Sequence, residues 1–124
     1  MKLTRQSAAD RQLVQRYGNG GFRVSGVPFA GSVIVAVSET LPWSVTSMAE
    51  LTLADFAPLI ARAGSIDVCL LGCGAAMQPL PRALRDALKD AGLAVDPMDT
   101  GAACRTYNVL MGEGRAVAAA LIAI

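Results

Sequence analysis

The chain alternates between two hydrophobic rhythms. Phe22-Arg23-Val24-Ser25-Gly26-Val27 puts apolar side chains at every second position, the pattern of a strand with one dry and one wet face. Just before it, Tyr17-Gly18-Asn19-Gly20-Gly21-Phe22 gathers residues that tolerate positive φ, which predicts a tight reversal between two strands. Val33-Ile34-Val35-Ala36-Val37 and Ile66-Asp67-Val68-Cys69-Leu70-Leu71 are nearly continuous apolar runs, as expected of strands covered on both faces. Helical spacing appears elsewhere. Leu53–Ala63 would turn Phe56, Leu59, Ile60 and Ala63 inward, with Thr52 or Asp55 as cap and Gly64 as stop. Pro58 lacks an N–H and fits only in a first turn, which favours the later start.

Pro79–Ala91 predicts the most regular helix. Leu80, Leu84, Leu88 and Ala91 form one stripe, with Arg82, Arg85, Asp86, Lys89 and Asp90 on the other side and Gly92 as the stop. Leu93–Asp96 reads as a short strand, followed by a helix from Thr100 to Met111 capped by Asp99 or Thr100. Arg115–Ile122 reads as a closing strand, with an alanine-rich helix as the competing reading. Strand and helix alternate from Ile66 onward, which implies crossover connections. The expected class is α/β: one compact domain over residues 1–124, with a mixed, mostly parallel sheet, flanking helices and an N-terminal β-hairpin added to it.

Composition narrows the chemistry. With 53% hydrophobic and 17% charged residues, the chain can build a core. A formal charge of +1 weighs against nucleic acid or an anionic membrane as partner. Histidine is absent, which removes Ser–His and Cys–His pairs and every His-containing zinc site. Cys69, Cys73 and Cys104 have no framework spacing and suit a reducing compartment; three thiols alone do not complete a structural zinc site. Residues 1–11 are polar, unlike a secretory leader, and no segment reaches the roughly 20 apolar residues of a spanning helix. The expectation is a cytoplasmic protein with no stable membrane insertion, no metal and no cofactor.

Special residues cluster where ligands of open α/β sheets bind, beyond the carboxyl ends of strands. One loop holds Gly72-Cys73-Gly74. It falls short of a dinucleotide fingerprint, because Met77 stands at the third glycine position and Pro79 and Pro81 postpone the helix. The other runs through Asp99 and Thr100 into a helix start carrying Cys104 and Arg105. A cation near the positive end of a helix dipole calls for a partner: Asp99, Glu113, another chain or a bound anion. The same location would lower the thiol pKa of Cys104, although no base accompanies it. Tyr107 and Asn108 are expected to hydrogen-bond buried backbone groups around the neighbouring loop. Trp43, placed in a loop after Pro42, suits a packing lid better than a ligand platform.

Taken together, Tyr17, Gly20-Gly21-Phe22, Gly26, Gly31-Ser32-Val33, Trp43, Leu70–Gly74, Met98-Asp99-Thr100, Ala103–Leu110 and Glu113-Gly114-Arg115 carry a resemblance. The chain resembles a small family of domains of unknown function that includes the adipogenesis-associated Mth-type domain protein and the mitochondrial NADH dehydrogenase complex I assembly factor three. The resemblance implies a compact mixed-sheet α/β fold with no established catalytic activity or cofactor, and it suggests a protein-binding role. Cys73 occupies the loop centre where the family often has a hydroxyl residue.

The leading expectation is a non-enzymatic, assembly-type protein that binds a protein partner, with no catalytic residues. The alternative is a small anionic metabolite bound at the carboxyl edge of the sheet. The candidate binding residues are Trp43, Gly72, Cys73, Gly74, Asp99, Thr100, Cys104, Arg105, Tyr107 and Asn108.

Overall fold

The computed structural model describes residues 11–124. The polar N-terminal stretch read above lies, apart from Arg11, outside them.

The strands are β1 (Val14–Gly18), β2 (Gly21–Val24), β3 (Val27–Ala30), β4 (Ser32–Ala36), β5 (Thr40–Trp43), β6 (Val68–Gly72), β7 (Val95–Met98) and β8 (Val117–Leu121). The helices are α1 (Ala57–Ile60), α2 (Arg82–Asp90) and α3 (Thr100–Gly112). The reversal expected around Asn19-Gly20 is present, both residues having positive φ. A second one was not anticipated. Ser25 (φ 44°) and Gly26 (φ 86°) cut the expected strand over residues 22–27 into β2 and β3. Serine gives little local warning of positive φ; here tertiary bonds hold it. Its hydroxyl donates to the Arg11 carbonyl and accepts from the Leu13 N–H, each at 2.9 Å.

β1, β2 and β3 form a separate antiparallel sheet, and the other strands form a five-stranded sheet in the order β5-β4-β8-β6-β7. The α/β class stands, with two corrections. The larger sheet is balanced rather than mostly parallel: β6 runs parallel to β7 and β8, while β4 is antiparallel to β5 and β8. The N-terminal hairpin gains a third strand and packs as its own sheet instead of extending the first. β5 went unread because Pro42 lies inside it, so Trp43 ends a strand rather than sitting in a loop. A proline is tolerated there because β5 is an edge strand. β7 lies two residues beyond its expected position and includes Pro97. The Met98 carbonyl accepts from the Cys73 N–H, so the alternating main chain turns Pro97 away from β6.

The chain leaves β6 through α2 to β7, then reverses through α3 to β8 on the far side of β6. Two crossovers of the same hand must then pass over opposite faces of the sheet. They do, and the core divides accordingly. On one face Ile34, Cys69, Leu71, Ala118 and Ala120 pack with Trp43, Phe56, Leu59, Leu88 and Leu93. On the other, Val33, Val35, Leu70, Ala119 and Leu121 pack with Tyr107, Met111 and the small sheet's Val14, Phe22 and Val24. Period-two alternation along β8 feeds both layers.

The segment expected to be a helix over Leu53–Ala63 is a 3-10 turn (Leu53–Phe56) leading into α1, followed by a second 3-10 turn at Ala63–Ser65. Thr52 is the N-cap, earlier than the proline argument favoured, and its N–H donates to the Asp55 carboxylate at 2.8 Å. Pro58 still falls in the first α-helical turn. α2 starts only at Arg82, after Pro79 and Pro81, and its apolar stripe reaches the core through Leu84 and Leu88. Among the described residues, no helix is long and apolar enough to cross a membrane.

Candidate functional site

The strand order reverses at β6, so the crevice where open α/β sheets bind ligands lies beyond the carboxyl ends of β6 and β8. Gly72-Cys73-Gly74, Asp99 and Thr100 do converge there. The crevice is filled from within. The Thr100 hydroxyl accepts from the Gly74 N–H at 2.9 Å and donates to the Ile122 carbonyl at 2.7 Å. The Thr100 N–H donates to the Gly74 carbonyl at 2.9 Å, and the Ile122 N–H to the Gly72 carbonyl at 3.0 Å. Thr100 is fully buried, and these contacts join the start of α3, the Gly74 loop and the ends of β6 and β8 to one another. A Cβ on Gly72 would lie 2.9 Å from Thr100 Oγ1 and 3.1 Å from Leu121 Cδ2, so the close packing of the α3 start demands glycine. Gly74 (φ 109°) supplies the reversal that returns the chain over the sheet edge.

At the N-terminus of α3 the Asp99 carboxylate accepts from the Ala102 N–H at 2.8 Å. A carboxylate of the chain itself therefore occupies the positive end of the dipole. All three cysteines are buried and free. Burial pushes the Cys69 and Cys104 thiols up to about 12. For Cys104 this reverses the expectation of a lowered pKa: desolvation outweighs the neighbouring Arg105 charge. Burial also raises Cys73, whose Sγ lies 3.3 Å from the Gln78 carbonyl. None of the three supplies a thiolate near neutral pH.

Within the chain, Arg105 pairs with neither Asp99 nor Glu113 among the described residues. Its Nη1 donates to the Tyr17 hydroxyl at 2.9 Å, across from the first hairpin. Tyr107 and Asn108 do bind backbone, but on β1, on β4 and on the segment before β1 rather than on the glycine loop. The Tyr107 hydroxyl lies 2.7 Å from the Gln12 carbonyl and 3.1 Å from that of Ala36. The Asn108 amide accepts from the Val14 N–H at 2.9 Å and donates to the Val14 carbonyl at 2.8 Å, standing in for a neighbouring strand on the outer edge of β1. Trp43 donates from Nε1 to the Asp55 carbonyl at 2.8 Å and meets Phe56 edge to face, with centroids 5.8 Å apart. It packs in the core. Of the ten candidate residues Arg105 alone is exposed.

Sequence reading missed Tyr17 as a partner of Arg105, because it stood in a turn motif. It also missed how the sheets end. The outer strands β3, β5 and β7 carry Pro28, Pro42 and Pro97, and Asn108 covers β1. Each free edge is thereby denied a full ladder of donors, which guards against strand addition. Two of the concavities among the described residues open to solvent as follows. One, of about 380 Å³, lies between α2 and β7, with Arg85, Lys89 and Asp96 around Val95 and Pro97. The other, of about 250 Å³, lies on the small sheet around Arg16, Arg23, Phe22 and Pro28. Among the described residues no cluster of three or more His, Cys, Asp or Glu is placed to hold a metal.

Residues 14–122 match the model of a family described as a protein of unknown function, DUF498/DUF598. The chain is 30% identical over 122 residues to a Danio rerio protein named NADH dehydrogenase [ubiquinone] 1 alpha subcomplex assembly factor 3, covering 98% of this chain and 70% of that one. Among solved structures, one described as an outer membrane protein from Bartonella henselae is 38% identical, with a TM-score of 0.84 over 93% of this chain and 97% of its own. A Bordetella pertussis protein described as a Mth938-like domain is 28% identical, with a TM-score of 0.76 over 93% of this chain and 87% of its own.

Proposed function

Since this chain belongs to the DUF498/DUF598 family, we propose that it is an assembly-type accessory protein that acts by binding a protein partner, without catalysis of its own. The observation that carries this reading is the similarity, along 98% of the chain, to a protein named as a complex I assembly factor. The site geometry supports it. Groups that could have done chemistry at the sheet edge are spent on the framework: Thr100 bridges two main-chain segments, Asp99 caps its own helix, and the three thiols are buried. What remains at the surface of that region is Arg105 bound to Tyr17, a group suited to recognition. The finer proposal is that the partner is a subunit or assembly intermediate of a respiratory complex.

The test is affinity capture with tagged protein from cells that express it, followed by native electrophoresis. A stoichiometric partner that comigrates with a partly assembled respiratory complex is the expected result. Failure to recover any partner under gentle conditions, or turnover of a substrate that is lost on changing one thiol or carboxylate, would overturn the reading. Asp99 occupies the helix end that the anionic-ligand alternative would use, which weighs against it.

A further inference from the structure

We infer that the solvent face of the three-stranded sheet is where a partner docks, and that it receives an acidic segment through the paired guanidinium groups of Arg16 and Arg23. This deepens the partner-binding reading above and rests on it. In the register of β1 and β2, Arg16 stands directly opposite Arg23. Both are exposed, and among the described residues neither is bonded to an acid, since the one ion pair there joins Arg62 to Glu39. Like charges directly opposed across a strand pair destabilise the pairing, so nothing in the folding of the sheet favours this arrangement.

The surroundings make it an anion receptor. Residues 11–38 contain Arg11, Arg16 and Arg23 and no Asp or Glu, although the whole chain carries a formal charge of only +1. Residues 11–38 are therefore net positive, whereas acids outnumber bases over residues 39–124. On the same face Pro28 sits opposite Arg23, and the next row is Gly18, Gly21 and Ala30. Small side chains beside two forked donors leave room for a main chain to lie flat while its carboxylates are held bidentately. The groove measures about 250 Å³, which fits one or two acidic side chains and not the long run of phosphate contacts that nucleic acid binding needs. The proline in β3 removes a donor from the sheet edge, so recognition runs through side chains and not through an added strand.

The full chain can be titrated against a fluorescein-labelled heptapeptide of alternating Glu and Ser and against its Gln counterpart. The Glu peptide should bind one-to-one and about tenfold or more tightly than the Gln peptide, as charge-assisted hydrogen bonds imply. R16Q/R23Q should lose that preference, while R82Q/R85Q, on α2, should keep it. Equal binding of the two peptides, or retention by R16Q/R23Q, overturns the proposal. Displacement by inorganic phosphate at the concentration where the peptide itself half-saturates overturns it in favour of a free-anion site. A wild-type dimer that R16Q/R23Q dissolves overturns it in favour of a second copy as occupant. The capture experiment separates the two levels. If R16Q/R23Q retrieves the same partner as wild type, the docking surface is wrong and the assembly reading stands. If wild type retrieves none while the Glu peptide binds, the assembly reading fails and the acidic-segment receptor stands.

Discussion

The five-stranded sheet is covered on both faces, by α1 and α2 with their flanking turns on one side and by α3 and the small sheet on the other. The three-stranded sheet contributes Val14, Phe22 and Val24 to the core and leaves Arg16, Arg23 and Pro28 in water. In the first, the polar groups where β6, β8 and α3 meet are answered from within, Thr100 being the extreme case. In the second, two like charges face one another with no acid bonded to either among the described residues. The difference separates framework from recognition. A region whose polar atoms are all matched has nothing left to offer a partner, whereas one that tolerates an internal cost retains the means to bind.

The largest effect expected within the covered region is alkaline. Cys69 and Cys104 hold their protons in the fold to about 12, above the usual thiol value near 8.5. The unfolded chain then binds fewer protons than the native one at high pH, so stability falls as pH rises from about 9 towards 12 and is unaffected below. Urea midpoints at pH 7, 9 and 10.5 should show the fall, and Cys69→Ala with Cys104→Ala should reduce it, leaving the share of Cys73 and Tyr107, whose protons burial also holds. Phe56→Ala, in the core beneath Trp43, should cost about 3–5 kcal/mol. Val27→Ala, on an exposed strand of the small sheet, should stay within about 0.5 kcal/mol. Similar losses in chemical denaturation would erase the contrast.

Smaller effects sharpen it. Thr100→Val keeps the shape but leaves the Gly74 N–H and the Ile122 carbonyl unpaired in the interior, at about 1–3 kcal/mol for a buried unsatisfied group. Thermal melting reads the loss. Arg23→Thr should go the other way, raising stability by about 0.2–1 kcal/mol as the opposed charges are relieved, most clearly at low salt. A destabilised Arg23→Thr protein would mean that the guanidinium pair serves the fold.

Much of the framework was legible from local pattern. The both-sides-apolar strands β4 and β6, the stripe of α2 and the Asp99 cap of α3 all depend on residues close in sequence. So did the reversal at Asn19-Gly20, where residue type alone admits the backbone. Ser25-Gly26 escaped because its positive φ is held by bonds to Arg11, Leu13 and Gln15, more than ten residues away. β5 and Pro97 of β7 escaped because proline argues against a strand unless its edge position is known. The two loops singled out in the sequence do meet at the carboxyl edge of the sheet, but the chemistry of their meeting was not legible. Helix-end electrostatics suggested an activated Cys104, and burial, a property of three-dimensional packing, reversed the sign.

By itself, the sequence determined the α/β class, the absence of imidazole chemistry and a stretch over residues 11–38 that holds arginines and no acid, since each depends on residue identity and order along the chain. Only the tertiary structure decided that the N-terminal strands form a second sheet, that Thr100 closes the crevice at the strand reversal, and that Arg16 confronts Arg23. Those outcomes turn on which distant segments come into register, and register is settled by burial shared across the whole core rather than by any local stretch.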